Sequence, residues 1–326
     1  MTLVDSFGRR HNNLRVSVTD RCNLRCTYCM PEDVSFLDKS ALLTFEEIAE
    51  FVRVAATCGI DKVRLTGGEP LLRRNLPLLV RLLSAVPGIR DLGLTTNGLL
   101  LAEHAAALAD AGLRRINVSL DTLDAERFRR LARRDGLDLV LAGLAAARAA
   151  GLRIKVNAVI LRGVNDVDIA PLGRLARDQR WELRFIECMP IGAEPWQRDR
   201  AVLAHEIMDV LERDVGPLRP AGDYDPHAPA MDFEYADGGG RVGFIASVSR
   251  PFCRHCNRLR LTADGKLRNC LFALDELDVK PWLRPACDDA RLVAALHANV
   301  SAKWEGHEIN SERFVKPRRT MHAIGG

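Results

Sequence analysis

Residues 14–29 read LRVSVTDRCNLRCTYC: a short apolar strand pattern over 14–18, then a loop holding Cys22, Cys26 and Cys29. The same arrangement, a strand followed by an unusual segment, recurs down the chain. Strand pattern 62–66 leads into Gly67-Gly68-Glu69-Pro70, and 91–95 leads into the TTNG of residues 95–98. Pattern 115–120 carries Ser119 near its end, 153–160 follows, and 182–186 precedes Cys188-Met189-Pro190. Helical patterns separate the strands. The first begins at Thr44 with Glu47 three residues on, a capping box, and Gly59 lies just past its end. Gly112 and Gly151 stop two later helices in the same way. Strands alternating with helices argue for βα units and a parallel sheet. Six such units are two short of an eight-fold barrel, so the expected fold is α/β, a partial (β/α)6 barrel of the TIM type closed by something else. An open doubly wound sheet is the alternative that periodicity does not separate. Either way the C-terminal strand ends share one face, so these distant segments gather around one cavity.

Beyond about residue 190 the character changes, with frequent Pro and Gly, a helix expected over 203–213, and hairpin-like stretches at 233–247 and 258–270. The chain thus divides into a barrel over 1–200 and a smaller C-terminal extension over 201–326, with a last helix near 288–302 and a tail ending Ile324-Gly325-Gly326. At 326 residues, 47% hydrophobic and 28% charged, the composition is that of an ordinary globular protein. The start has no apolar signal-like region and no run approaches a membrane span, so no membrane partner and a cytoplasmic location are expected. A net charge of +4 is too small for a dedicated nucleic-acid binder, yet permits basic pockets for a small anion.

Nine cysteines, an odd number with six in two tight groups, favour metal over disulfides. Three thiolates at C-x3-C-x2-C spacing can hold three corners of a cubane iron–sulfur cluster and leave one iron open. A closed zinc site wants four ligands, and His11, the nearest, lies before the strand. Three buried thiols without metal are the bland alternative. Cys253, Cys256 and Cys270 form a second trio, C-x2-C-x13-C. Asp264-Gly265 signals a hairpin turn that brings Cys270 back level with Leu259, beside the first two thiols. A zinc ribbon completed by a remote residue stays open here, since His255, inside the C-x2-C, is poorly placed to join the same metal. Arg15 and Arg64 interrupt apolar strands, and Lys155 sits in IKVNAVI. Charges there need partners, either a small anion or a barrel carboxylate. Cys58, Cys188 and Cys287 read as packing thiols.

CNLRCTYC followed one strand later by GGEP resembles the radical S-adenosylmethionine superfamily. With the second trio, and Cys256-Asn257-Arg258-Leu259-Arg260 leading into the hairpin, the chain is similar to the GTP 3′,8-cyclase family of molybdenum cofactor biosynthesis from Leu14 to the terminal Gly-Gly. That resemblance implies a lyase with two [4Fe-4S] clusters and S-adenosylmethionine, cleaved to methionine and a 5′-deoxyadenosyl radical. The radical removes the ribose 3′ hydrogen of GTP, whose carbon attacks C8 to give 3′,8-cyclo-7,8-dihydro-GTP. By the same resemblance Tyr28, Gly68, Ser119 and Met189 contact S-adenosylmethionine, and Arg15, Arg64, Thr95, Lys155, Arg258 and Arg260 contact GTP. The second cluster binds guanine, and Gly325 and Gly326 reach the active site. The implied partners are an external electron donor and, downstream, cyclic pyranopterin monophosphate synthase, with a homodimer left open. The rival readings are a peptide-modifying radical enzyme with an auxiliary cluster, and a zinc-bearing nucleic-acid binder.

Overall fold

The computed structural model describes residues 2–192, 196–223 and 225–326. The barrel half runs β1 Asn13–Ser17, α1 Phe45–Thr57, β2 Lys62–Thr66, α2 Leu76–Ser84, β3 Asp91–Thr96, α3 Leu101–Asp110 and β4 Arg115–Ser119. It continues through α4 Ala125–Ala132, α5 Leu137–Ala149, β5 Arg153–Ile160, α6 Ile169–Gln179 and β6 Glu182–Glu187. The extension adds α7 Ala204–Asp214, β7 Leu218–Pro220, β8 Met231–Tyr235, β9 Arg241–Ile245, β10 Arg258–Leu261, β11 Lys266–Arg268 and β12 Leu277–Asp278. Helices α8 Asp289–Ser301 and α9 Met321–Ile324 end the chain.

Local chemistry sets these bounds. At α1 the Thr44 hydroxyl accepts from Glu47 N–H at 3.2 Å while the Glu47 carboxylate accepts from Thr44 N–H at 2.7 Å, and Gly59 follows in the left-handed region at φ +95°. Ile48, Phe51, Val52 and Ala55 fall on one helical face and are fully buried against the sheet. Each of the larger three contributes about 1.5–3 kcal/mol of hydrophobic stabilisation.

All strands belong to one sheet in the order β12-β11-β10-β1-β2-β3-β4-β5-β6-β9-β8-β7. Strands β1 to β6 are parallel, as the sequence leads one to expect. What continues the partial barrel comes from the extension: β9 pairs parallel to β6, and β10 pairs parallel to β1. The extension therefore builds onto both edges of the barrel sheet.

Along each strand, alternate residues face opposite sides. One set, including Leu14, Val16, Val63, Leu65, Ile116, Val118, Val156, Leu183 and Phe185, is buried in the main core with the helices. The other set is polar: Arg15, Arg64, Thr95, Asn117, Lys155 and Arg184. The interior of an ordinary (β/α)8 barrel is filled with branched apolar side chains. Polar lining here makes a chamber of that interior. No helix among the described residues is long and apolar enough to cross a membrane.

The second hairpin differs from expectation by one residue. Arg260 pairs with Arg268 and Leu261 with Leu267, so Cys270 comes level with Arg258 instead of Leu259. The cause is the turn. Thr262 N–H donates to Lys266 O at 2.9 Å, enclosing a three-residue loop with Gly265 at φ +78°, where a two-residue Asp-Gly turn was the expected form.

Candidate active site

The loop after β1 carries Cys22, Cys26 and Cys29 at the C-terminal end of the barrel, and buried polar bonds tie it to the neighbouring strand ends. Glu69, fully buried, accepts from Leu71 N–H (2.9 Å), the Thr96 hydroxyl (2.7 Å) and Asn97 N–H (2.7 Å). The Asn97 amide donates to Asn23 Oδ1 at 2.7 Å and lies 3.8 Å from Cys22 Sγ. Gly67 and Gly68 make a close backbone approach to this loop. A Cβ on Gly68 would collide with Arg21 O and stand 2.5 Å from Asp20 O, where Gly68 N–H donates to Thr19 O and Glu69 N–H to Arg21 O, both at 2.7 Å. On the loop's other flank the Tyr28 hydroxyl donates to Asp121 Oδ2 at 2.6 Å, and Asp121 Oδ1 accepts from Val159 N–H at 2.8 Å. Tyr28, Cys188, Met189 and Gly192 line one small cavity. Ser119 ends β4, half-buried, level with Asn157. The structure thus brings Tyr28 and Met189 together and sets Gly68 against the loop backbone.

The thiols are costly to ionise alone. Burial pushes Cys22 up to about 11 and Cys29 up to about 12, and burial followed by the Cys29 charge raises Cys26 as well. A bound metal would supply the positive charge that thiolates here require.

Below this loop lies the basic chamber. Arg15 is level with Arg64 on one side and with Arg260 on the other, and Arg64 donates to Asn117 Oδ1 at 2.6 Å. Asn117 is in turn level with Thr95 and Lys155. Lys155 takes the barrel carboxylate held open for it, donating to Glu182 Oε1 at 2.6 Å. Arg184 shares Glu182 at 2.5 Å, and Arg115 pairs with Asp91 at 2.6 Å. Arg15 and Arg64 have no carboxylate partner among the described residues. Burial, then the nearby Arg258 charge, pulls Arg15 down to about 9. Arg64 is lowered by burial and Arg115, and Arg260 by burial and Arg15. A guanidinium nevertheless keeps its proton, so half-buried Arg15 and Arg64 beside buried Arg260 gather an excess of positive charge here. Holding such charges partly out of water without a counterion is costly, and a polyanion here would remove that cost.

The second trio sits at the opposite end. Arg258, which starts β10 two residues after Cys256, is level with Asn13 at the start of β1, whereas Cys22 follows the end of β1. The five residues of β1 therefore set about 13 Å between the two levels at ~3.3 Å rise per residue. Against burial, which pushes it up, Arg258 and Lys303 pull the Cys256 thiol down to about 6. The Arg258 guanidinium lies 3.6 Å from Cys256 Sγ and 4.4 Å over the Phe252 ring. The tail enters from the side. Gly325 O accepts from Arg260 and Gly326 O accepts from the Thr66 hydroxyl at 2.8 Å. Arg319 anchors the tail on Asp264 at 2.8 and 3.0 Å and on Glu276 at 2.9 Å. A frayed end, the default for a terminal Gly-Gly, is not what forms.

Comparison with known proteins bears on what this chamber is. Residues 16–176 match the Radical SAM superfamily, and 181–309 match Molybdenum Cofactor Synthesis C. A protein of Rhodopirellula baltica named GTP 3′,8-cyclase is 47% identical over all of this chain and 92% of its own length. Another so named, from Mycolicibacterium smegmatis, is 49% identical over 99% of this chain and 92% of its own. The chain belongs to the GTP 3′,8-cyclase family. Among solved structures, Streptococcus suis SuiB bound to S-adenosylmethionine superposes with a TM-score of 0.60 over 96% of this chain and 77% of its own, at 14% identity. That likeness speaks to the radical SAM fold alone.

A GTP 3′,8-cyclase needs two iron–sulfur clusters, and both trios fit them. All six thiols are free and half-buried, and the charges of Cys22, Cys26 and Cys29 are felt by one another. Among the described residues no three His, Cys, Asp or Glu are gathered as for a single metal ion. Ligands of a cubane need not converge on one ion as a tetrahedral zinc requires. The cyclase chamber also holds residues that sequence reasoning missed. Arg115 and Arg184 interrupt apolar strands just as Arg15 and Arg64 do, so the same signal marks them. Asn97 and Asp121, polar residues just past strand ends, carry no such mark. Of the remaining thiols, Cys58 and Cys188 are buried, and Cys287 lies half-buried beside Arg53 and Asp289.

Proposed function

We infer that this chain is a GTP 3′,8-cyclase in which Cys22, Cys26 and Cys29 hold one [4Fe-4S] cluster, Cys253, Cys256 and Cys270 hold the other, and GTP lies in the chamber between. The reaction is the radical SAM first step of molybdenum cofactor biosynthesis. One observation carries the assignment: the half-buried guanidiniums of Arg15 and Arg64, without carboxylate partners among the described residues, stand between two thiol trios, each of which would leave one iron of a cubane cluster open. Bound at the first trio, the cluster and S-adenosylmethionine supply the one-electron chemistry that removes the ribose 3′ hydrogen.

The chain's own residues position and neutralise. Arg15, Arg64, Arg258 and Arg260 counter the triphosphate, with Lys155 and Thr95 on the facing strands. Cys253, Cys256 and Cys270 would hold the second cluster, which would supply a binding point for guanine at that end of the chamber and leave the ribose toward the Cys22 end. Tyr28, Gly68, Ser119 and Met189 surround S-adenosylmethionine, with Asp121 fixing the Tyr28 hydroxyl. Gly325 and Gly326 occupy the chamber wall beside Arg260 and Thr66, excluding water there. The division at residue 200, a cytoplasmic location, an external one-electron donor, a homodimer and delivery of product to cyclic pyranopterin monophosphate synthase belong to the same proposal.

Cys256→Ser tests the assignment. The variant should lose the second cluster, still form 5′-deoxyadenosine from S-adenosylmethionine, and leave GTP unconverted. Full GTP conversion by that variant would overturn it.

A further inference from the structure

Behind the second thiol trio lies a pair of buried cations that the substrate chamber does not use. Arg9 is 7% exposed. Its Nε donates to Asp5 Oδ2 at 2.6 Å, one terminal nitrogen donates to the carbonyls of Cys253 (2.7 Å) and Glu305 (2.6 Å), and the other to the carbonyl of Trp304 (2.6 Å). Four of the five guanidinium N–H groups are therefore committed in fixed directions. Asp5 is itself locked. Its Oδ1 accepts from Phe7 and Arg9 N–H at 3.0 Å each, and His11 Nε2 meets Oδ2 at 3.0 Å. Lys303, 5% exposed, donates to Arg258 O at 2.9 Å and to Asn269 O.

The carbonyls these cations choose are telling. One belongs to Cys253 itself, one lies two residues past Cys256, and one lies immediately before Cys270. Each ligand segment is thus gripped through its backbone by a buried cation. Side-chain packing does not do this work for Cys253, which opens on a cavity of about 540 Å³ walled by Arg254, Trp304, Gly306 and His307. Arg9 holds both Cys253 and the 304–305 wall of that cavity.

We propose that Arg9 and Lys303 form a two-cation clamp that fixes the Cys253, Cys256 and Cys270 segments in ligand geometry and counters the net negative charge of a four-iron cluster on three thiolates. They are positioning residues, acting through the ligands, and the clamp rests on the assignment of the second cluster to this trio. Arg9→Gln and Lys303→Met test it, with Arg9→Lys keeping charge while losing the fork.

After anaerobic reconstitution the wild-type chain should hold about eight irons. Arg9→Gln and Lys303→Met should each hold about four, with the paramagnetic resonance response of the first cluster to S-adenosylmethionine unchanged and the GTP-induced change at the second cluster lost. Arg9→Lys should fall between. Full iron with an unaltered GTP-induced signal in both variants would overturn the clamp, as would iron lost in step from both clusters. A wild-type chain holding only about four irons would remove the second-cluster assignment, and the clamp with it.

Discussion

Adding one methyl group at Gly68 should dislodge the first cysteine loop. A Cβ there would collide with Arg21 O and stand 2.5 Å from Asp20 O and 2.7 Å from Arg21 C, all backbone atoms. Ordinary C···O contact needs about 1 Å more, and no flexible side chain can yield that room. Shifting the loop by that distance carries the Gly68–Thr19 and Glu69–Arg21 hydrogen bonds, both 2.7 Å, past bonding range. Two buried backbone bonds are worth about 1 kcal/mol each, and overpacking adds about 1–3 kcal/mol. Gly68→Ala should therefore cost about 3–5 kcal/mol, a fall of roughly 4–7 °C in the unfolding midpoint for a chain of this length. Gly222→Ala, with open space around it, is the control and should leave the midpoint where it is. Thermal unfolding of the metal-free chains reads the stability. Iron analysis reads the loop, with the second cluster as internal reference: Gly68→Ala should lose first-cluster iron selectively. A midpoint equal to that of Gly222→Ala, with both clusters intact, would refute the steric argument.

Three other outcomes follow from the same geometry. Arg15→Gln removes a half-buried cation that has no carboxylate partner among the described residues, so the metal-free chain should be no less stable, while GTP affinity measured by calorimetry falls about ten- to hundredfold, the loss of one charge-assisted contact of about 1.5–3 kcal/mol; unchanged affinity would contradict the chamber assignment. Burial raises the Glu69 carboxyl from 4.5 to about 7, so the folded state holds its proton more tightly across that window, and Glu69 should cost the fold about 3 kcal/mol as pH climbs from 4.5 through 7. Urea unfolding of Glu69→Gln should lack that slope, and parallel pH profiles for variant and wild type would refute it. Arg319→Ala loses the tail's bonds to Asp264 and Glu276, so carboxypeptidase should trim residues 321–326 faster while 5′-deoxyadenosine formation continues; equal trimming rates would show the tail is held elsewhere.

The barrel was legible because each unit carries its own punctuation. Thr44, Glu47 and Gly59 bound α1 from both ends, and the six apolar strand runs coincide with β1 to β6 to within a residue or so. The growth of the sheet at both edges was not legible, because it depends on β9 and β10 finding the two edges of a sheet formed some 50 to 240 residues earlier, and no local pattern encodes an edge. The hairpin register slipped by one because Ala263-Asp264-Gly265 can serve as a two- or a three-residue turn, and the Thr262–Lys266 bond decides between them. In the site, Arg15 and Arg64 stood out as charges in apolar strands. Arg9 and Lys303 did not. They lie in irregular segments where a charge is unremarkable, and only folding brings them behind the second trio.

Deuterium transfer tests the central claim most directly. GTP labelled with deuterium at the ribose 3′ carbon is given to the anaerobically reconstituted chain with S-adenosylmethionine and a reductant. If one chamber holds substrate between both trios, the 5′-deoxyadenosine formed carries the label, and the labelled GTP is converted to a product one mass unit lighter, an isomer of unlabelled GTP. Unlabelled 5′-deoxyadenosine beside unchanged GTP would contradict it.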